Sequence, residues 1–312
     1  MLGWLRRIGT IAFVGASFLF LALAVARQRD QLSAFDWRIE PLRLGASVLA
    51  LTAVLAGGVA IWSGVLRRFG VRVPFPALAR IWFLSSLGRY IPGKIWQFVG
   101  VAELSRAAAV PALVGITSLL VYMGFVVLAA WMVSVYLLPA SALGPFAAVA
   151  VPARAASPLL LLLLHPKVLG GVVGWAARLL RRPLAPWQGT WRGAVALLAA
   201  CVVQWLGFGV AFFLFVSSLT SVTPAQLPAL TGAFALAFLA GYVAFIAPAG
   251  LGAKDGALAL LLTTALPFPI GVAAALSVAA RVWSIAGDAL PALLFLRAPR
   301  SPAADATPTA KP

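Results

Sequence analysis

The chain has 312 residues, 63% of them hydrophobic and only 10% charged, with a mean hydropathy of +1.03. Soluble proteins of this size carry roughly a quarter charged residues, so this composition excludes a soluble domain and points to an all-α polytopic membrane protein. The formal net charge is +17, but most of the 24 Lys+Arg lie between apolar spans. They read as positive-inside topology and contact with an anionic membrane leaflet rather than as a nucleic-acid surface.

Met1 to Ala26 carries Arg6 and Arg7 and then an apolar run, Ile8 to Val25, long enough to span as an uncleaved first helix. A mixed-charge loop over 27–43 holds Asp30, Asp36 and Glu40. Leu44 to Leu66 is the second helix, closed by Arg67, Arg68, Arg72 and Arg80.

Pro76 to Glu103 contains two short apolar pieces on either side of Arg89 to Lys94. Each is too short for about 30 Å of hydrocarbon, which takes roughly 20 residues, so a re-entrant hairpin is expected. Val110 to Leu138 forms a long helix ending at Pro139. Phe146 to Leu164 forms another, interrupted by Pro152, Arg154 and Pro158.

The stretch His165 to Arg192 is basic. Arg178, Arg181 and Arg182 share one helical face, opposite Val172, Trp175, Ala176 and Leu179. It reads either as an interfacial amphipathic helix or as a solvated basic loop. Gly193 to Leu219 spans, Leu227 to Ala247 runs into a second break, Leu251 to Leu266 is a short return, and Phe268 to Leu296 is the last helix. The total is about seven or eight spans in one domain, 1–298, followed by a disordered tail over 299–312.

Basic loops stay cytoplasmic. Arg6/Arg7, Arg67 to Arg80, His165 to Arg192 and Arg297/Arg300 then share the cytoplasmic side with both termini. On this count the first hairpin enters from the cytoplasm and the second from outside, the inverted arrangement of alternating-access carriers.

The two breaks carry the chemistry. Pro removes a backbone donor and Gly lets the chain turn, and in hydrocarbon the freed groups survive only inside protein or along a wet cavity. A Gly/Pro-interrupted pair of segments, one per half, marks a transporter's binding site. The first break offers Arg89, Pro92, Gly93 and Lys94; the second offers Pro248, Gly250, Gly252, Lys254 and Asp255; the last helix adds Arg281 and Asp288. Intramembrane charges cost roughly 3 kcal/mol or more, so they face a cavity or a partner. Arg281 and Asp288 either pair through a neighbour or each face a hairpin. Arg281–Asp288 and Lys254–Asp255 can be neutralising sets; alternatively Arg89, Lys94, Lys254 and Arg281 form a cationic pocket for a lipid phosphate.

Tyr90 and Trp96 read first as interfacial belt residues, and Gln97 and Gln204 as helix–helix hydrogen bonders. Gly207-Phe208-Gly209 lies inside a span and reads as close packing. Cys201 and His165 are the only cysteine and the only histidine, which removes an intrachain disulfide and most zinc or triad chemistry. No catalytic residue, metal or cofactor is expected.

The run Leu87-Gly88-Arg89-Tyr90-Ile91-Pro92-Gly93-Lys94-Ile95-Trp96-Gln97 resembles the first signature of the lysylphosphatidylglycerol synthase transmembrane-domain family, a group of flippase-like membrane proteins. Pro248-Ala249-Gly250-Leu251-Gly252-Ala253-Lys254-Asp255 is similar to its second signature, Pro-Gly-Gly-Leu-Gly-Val-Arg-Glu. Ala249 replaces a Gly, Lys254 the Arg and Asp255 the Glu. Arg281 and Asp288 match the basic and acidic positions of the family's last helix.

The resemblance implies a stand-alone member without the soluble synthetase domain. It further implies movement of an anionic, aminoacylated or lipid-linked headgroup between leaflets, with no covalent turnover. The expected partners are a phospholipid or lipid-linked substrate, and a second copy of the chain or a biosynthetic protein. Two rivals stand beside this reading. One is a membrane transferase acting on a lipid-linked sugar or phosphate, which would want acidic residues on a sizeable outer loop. The other is a non-transporting scaffold in envelope biosynthesis.

Overall fold

The computed structural model describes residues 35–90, 96–108, 110–142, 147–180, 186–243 and 252–297. The expected first helix over Met1–Ala26, the break residues Pro92, Gly93, Lys94, Pro248 and Gly250, and the tail lie outside the described residues. What is described is all-helical. The α-helices are α1 (Pro41–Arg67), α2 (Phe75–Ser86), α3 (Trp96–Ala107), α4 (Ala112–Leu137), α5 (Ala147–Ala156), α6 (Pro166–Leu180), α7 (Trp191–Ser217), α8 (Leu227–Val243), α9 (Ala253–Thr264) and α10 (Ile270–Arg297).

Five of these, α1, α4, α7, α8 with its leading turn, and α10, are long and apolar enough to cross a membrane. A sixth arises if Val151–Leu164 and Pro166–Trp175, bent by 69° against each other, count as one span. Large apolar side chains such as Leu49, Val203, Val282 and Leu294 point outward from these helices. Water would penalise that arrangement and hydrocarbon favours it.

Helix ends follow local chemistry. Gly70 adopts φ +79°, and Val71 N–H reaches back to Leu66 O at 3.1 Å, so the last carbonyls of α1 are satisfied by a left-handed glycine turn. Thr190 caps α7 by accepting from Gly193 N–H at 3.2 Å. Before α8, Thr223 N–H donates to Gln226 Oε1 at 2.8 Å in a capping box.

Helices α1 and α7 run antiparallel and fix the two ends of the bundle. At one end Arg68 donates to Gly64 O at 2.7 Å and to Gly193 O at 2.9 Å, and Gln188 N–H donates to Arg68 O. At the other, Arg38 N–H and Glu40 N–H donate to Leu219 O and Ser218 O, and Phe35 meets Phe268 edge to face. Between these ends Phe212, Phe215, Phe234 and Trp283 form an aromatic core from α7, α8 and α10 by stacked and edge-to-face contacts, with Phe212–Phe234 centroids 4.7 Å apart. Trp283 Nε1–H donates to Ser47 Oγ at 3.1 Å, which ties α10 to α1.

Each break is flanked by a pair of helices that form a hairpin. Helices α2 and α3 pack on one another, as do α8 and α9. The α2–α3 crossing is close: a Cβ on Gly100 would sit 3.2 Å from Ser85 Cα, and one on Gly88 would sit 2.7 Å from Gln97 N. Helix α2 starts just beyond the Arg68 end, whereas α8 starts and α9 finishes near the Ser218 and Phe268 end. The hairpins therefore enter the bundle from opposite ends.

Two segments differ from, or decide between, the expectations from sequence. The expected single helix over Phe146–Leu164 is instead α5 followed by a 3₁₀ stretch, Ser157–Leu164. Pro158 removes a backbone donor and disfavours α conformation at the residue before it. Arg154 also folds back to donate to Val135 O at 2.7 Å and Leu138 O at 2.8 Å. Of the two readings of the basic stretch, the helix is the observed one: α6 exposes Val168, Val172 and Trp175 along one stripe, exposes Lys167 and Arg178 beside it, and buries Val173. Arg181 and Arg182 lie outside the described residues.

Candidate functional site

Where the two hairpins approach, the bundle holds a half-open cavity of about 290 Å³. Its walls are mostly apolar and aromatic, including Trp82, Trp205, Phe208, Phe234, Phe238 and Tyr242. Its polar lining is Arg89, Tyr90, Gln97, Tyr122, Gln204, Lys254, Arg281, Ser284 and Asp288. An apolar pocket with a few converging polar groups is the usual form of a small-ligand site.

The first hairpin supplies Arg89 and Tyr90 from the 3₁₀ turn Leu87–Tyr90 that ends α2. Tyr90 OH donates to Asp288 Oδ2 at 2.7 Å, and Arg89 Nη1 lies 3.6 Å from the same oxygen. The Asp288 side chain is only 5% exposed, while that of Arg89 is 32% exposed. Asp288 Oδ1 and Arg89 Nε have no hydrogen-bond partner among the described residues. Tyr90, which sequence favoured as an interfacial residue, instead joins the first break to the last helix.

The second hairpin is built differently. Gly252 adopts φ +81°, a conformation open to glycine and strained for other residues, and α9 starts at the next residue. Asp255 in the first turn of α9 accepts from Gly252 N–H at 3.2 Å. Arg281 clamps the same carboxylate: Nε donates to Oδ1 and Oδ2 at 3.0 Å each, and Nη2 donates to Oδ2 as well. Ser277 Oγ–H donates to Asp255 O at 2.7 Å. This is the fork geometry that makes Arg–carboxylate pairs directional.

Lys254 stands apart from that clamp. Its Nζ lies 4.8 Å from the centroid of the Phe234 ring, and no carboxylate lies within ion-pair distance of it among the described residues. A cation on an aromatic face at the wall of a cavity is held in place yet keeps donors for a ligand. Arg89, with an unused Nε and one long contact, is the second cation with spare donor capacity.

Sequence reasoning singled out Arg89, Gly252, Lys254, Asp255, Arg281 and Asp288, and the structure brings all six to the meeting point of the hairpins. Arg281 and Asp288 do not pair with each other; each faces a hairpin. Gln204 makes the expected helix–helix bond, accepting from Tyr122 OH at 2.9 Å and donating to Val54 O at 3.4 Å. Close packing at Gly207 and Gly209 also holds, since a Cβ there would strike Val54 and Thr231. Glu103 and Arg106 pair with each other on the exposed side of α3, away from the cavity. Tyr122 and Ser284 were missed; a phenol or hydroxyl inside an apolar run was the available signal.

No protein-family model matches this chain, and a search among curated proteins finds no match.

Proposed function

We propose that this protein is a multi-pass carrier of the bacterial inner membrane that moves a lipid headgroup between leaflets, as a member of the flippase-like family its two break motifs resemble. The observation that carries the reading is the cavity between two opposed hairpins, with Arg89 and Lys254 on its wall beside unspent donors. A lipid phosphate needs such cations, Arg for fork contacts and Lys as a point charge. The aromatic walls suit the apolar stem that follows the headgroup.

In this reading the chain has seven or eight spans, the hairpins are re-entrant, and their opposed entry is the remnant of an inverted repeat around a midplane site. Both termini face the cytoplasm, with the exposed bases of α6 at the anionic leaflet. Arg281, held by Asp255, orients the start of α9 and so aims Lys254; it is a positioning residue rather than a phosphate ligand.

The test is leaflet exchange of fluorescent anionic, zwitterionic and aminoacylated lipids in proteoliposomes. Wild type is expected to accelerate exchange of at least one class, with Arg89→Ala and Lys254→Gln both slower at equal folding. Exchange no faster than in protein-free vesicles, for these lipids and for lipid-linked sugars, overturns the proposal.

A further inference from the structure

Among the described residues, the two buried carboxylates of the cavity region, Asp255 and Asp288, are not alike. Both oxygens of Asp255 are occupied, by Arg281 and by Gly252 N–H. Asp288 uses only Oδ2, for Tyr90 and at longer range Arg89, while Oδ1 is buried without a partner among the described residues. A buried carboxylate oxygen without a partner costs on the scale of an unmade charged hydrogen bond, and a proton on that oxygen removes the charge.

Among the described residues, the charged and titratable groups around it are few. The turn after α2 offers Arg89 and Tyr90, α4 offers Tyr122, α8 Tyr242, α9 Lys254 with Asp255 behind it, and α10 itself Arg281. Helices α1, α2, α3 and α7 line the cavity with uncharged side chains, among them Leu55, Trp82, Gln97 and Gln204. When Asp288 is ionised it competes with any ligand for Arg89. When it is protonated, Arg89 is released and the cavity's surplus over Arg89, Lys254, Arg281, Asp255 and Asp288 rises by one positive charge.

We infer that Asp288 is a proton-binding site coupled to anion binding at Arg89 and Lys254, so that an anionic headgroup crosses together with a proton. This rests on the carrier reading above and adds its driving ion. The step is a simple protonation: a proton from water on one face joins Oδ1 of the carboxylate and leaves from the other face. Tyr90 keeps its own proton and donates to Oδ2 in both states.

Two arms test it on the full-length protein in detergent. Infrared difference spectra recorded across a pH series should show a carboxylic acid C=O band that is lost in Asp288→Asn and kept in Asp36→Asn and Glu103→Gln. In the second arm, short-chain phosphatidylglycerol, a phosphodiester that does not itself titrate near neutrality, is added in weak buffer with a pH dye. Wild type should take up about one proton per bound lipid, and its affinity should fall by up to about tenfold per pH unit across the coupled range. Asp288→Asn should bind the lipid with no uptake and no pH dependence. A C=O band unchanged in Asp288→Asn, or equal proton uptake by the variant, overturns the inference. Absent lipid binding in wild type counts against the carrier reading, and the infrared arm then decides alone whether Asp288 titrates.

Discussion

The clamp between Arg281 and Asp255 gives the sharpest energetic prediction. The two side chains are 10% and 3% exposed, and three donor contacts from one guanidinium converge on one carboxylate, with Gly252 N–H as a fourth. Removing one partner strands a buried charge, which costs about 3–5 kcal/mol. Arg281→Gln and Asp255→Asn should each lose that much. The double variant Asp255→Asn/Arg281→Gln should cost less than the sum, by about 2 kcal/mol, because neither charge is then left alone. The assay is reversible unfolding in mixed micelles, followed by tryptophan fluorescence from the 11 Trp residues. Single-variant losses below about 1 kcal/mol, or strict additivity, refute the clamp as the element that holds α9 against α10.

Other predictions concern single positions. Lys254→Gln should leave stability unchanged within experimental error and weaken binding of a short-chain anionic lipid by about 10–100-fold, the size of a lost charge-assisted hydrogen bond, measured by calorimetry. Gly252→Ala should destabilise the protein by about 1–3 kcal/mol in the same unfolding assay, since φ is +81° there. Gly88→Ala should cut the yield of monodisperse protein, because its Cβ would meet the Trp96–Gln97 backbone at 2.7 Å; Gly57→Ala, with nothing within 4 Å, should not.

Much of this architecture could be read from the chain. The spans announce themselves because apolar runs of this length have no other stable home. The breaks do so because Pro, Gly and a basic residue in the middle of such runs are costly without a cavity. The choice of ion-pair partners was hidden. Lys254 and Asp255 adjoin in sequence, and Arg281 and Asp288 sit two turns apart on one helix, so self-contained pairs stood open beside charges that each face a hairpin. The fold crosses them instead: Asp255 goes to Arg281 on α10, and Asp288 goes to Arg89 and Tyr90 on the other hairpin. Helix packing decides that pairing, and sequence spacing does not encode it. The same holds for Tyr90, whose aromatic ring suggests a membrane boundary until the hairpin carries its hydroxyl to Asp288. The 3₁₀ stretch over Ser157–Leu164 was half visible in Pro158, but its apolar composition reads equally well as α-helix.

The central claim is that one cavity, set between hairpins entering from opposite ends, serves both faces of the membrane. Ser284 lines that cavity, and Cys201 is the sole cysteine, so Ser284→Cys in a Cys201→Ser background gives a single reporter inside it. A membrane-impermeant maleimide would be applied to right-side-out and to inside-out vesicles. The account predicts labelling from both sides, slowed in each case by an anionic short-chain lipid. Labelling from one side only, at a rate the lipid leaves unchanged, would contradict it.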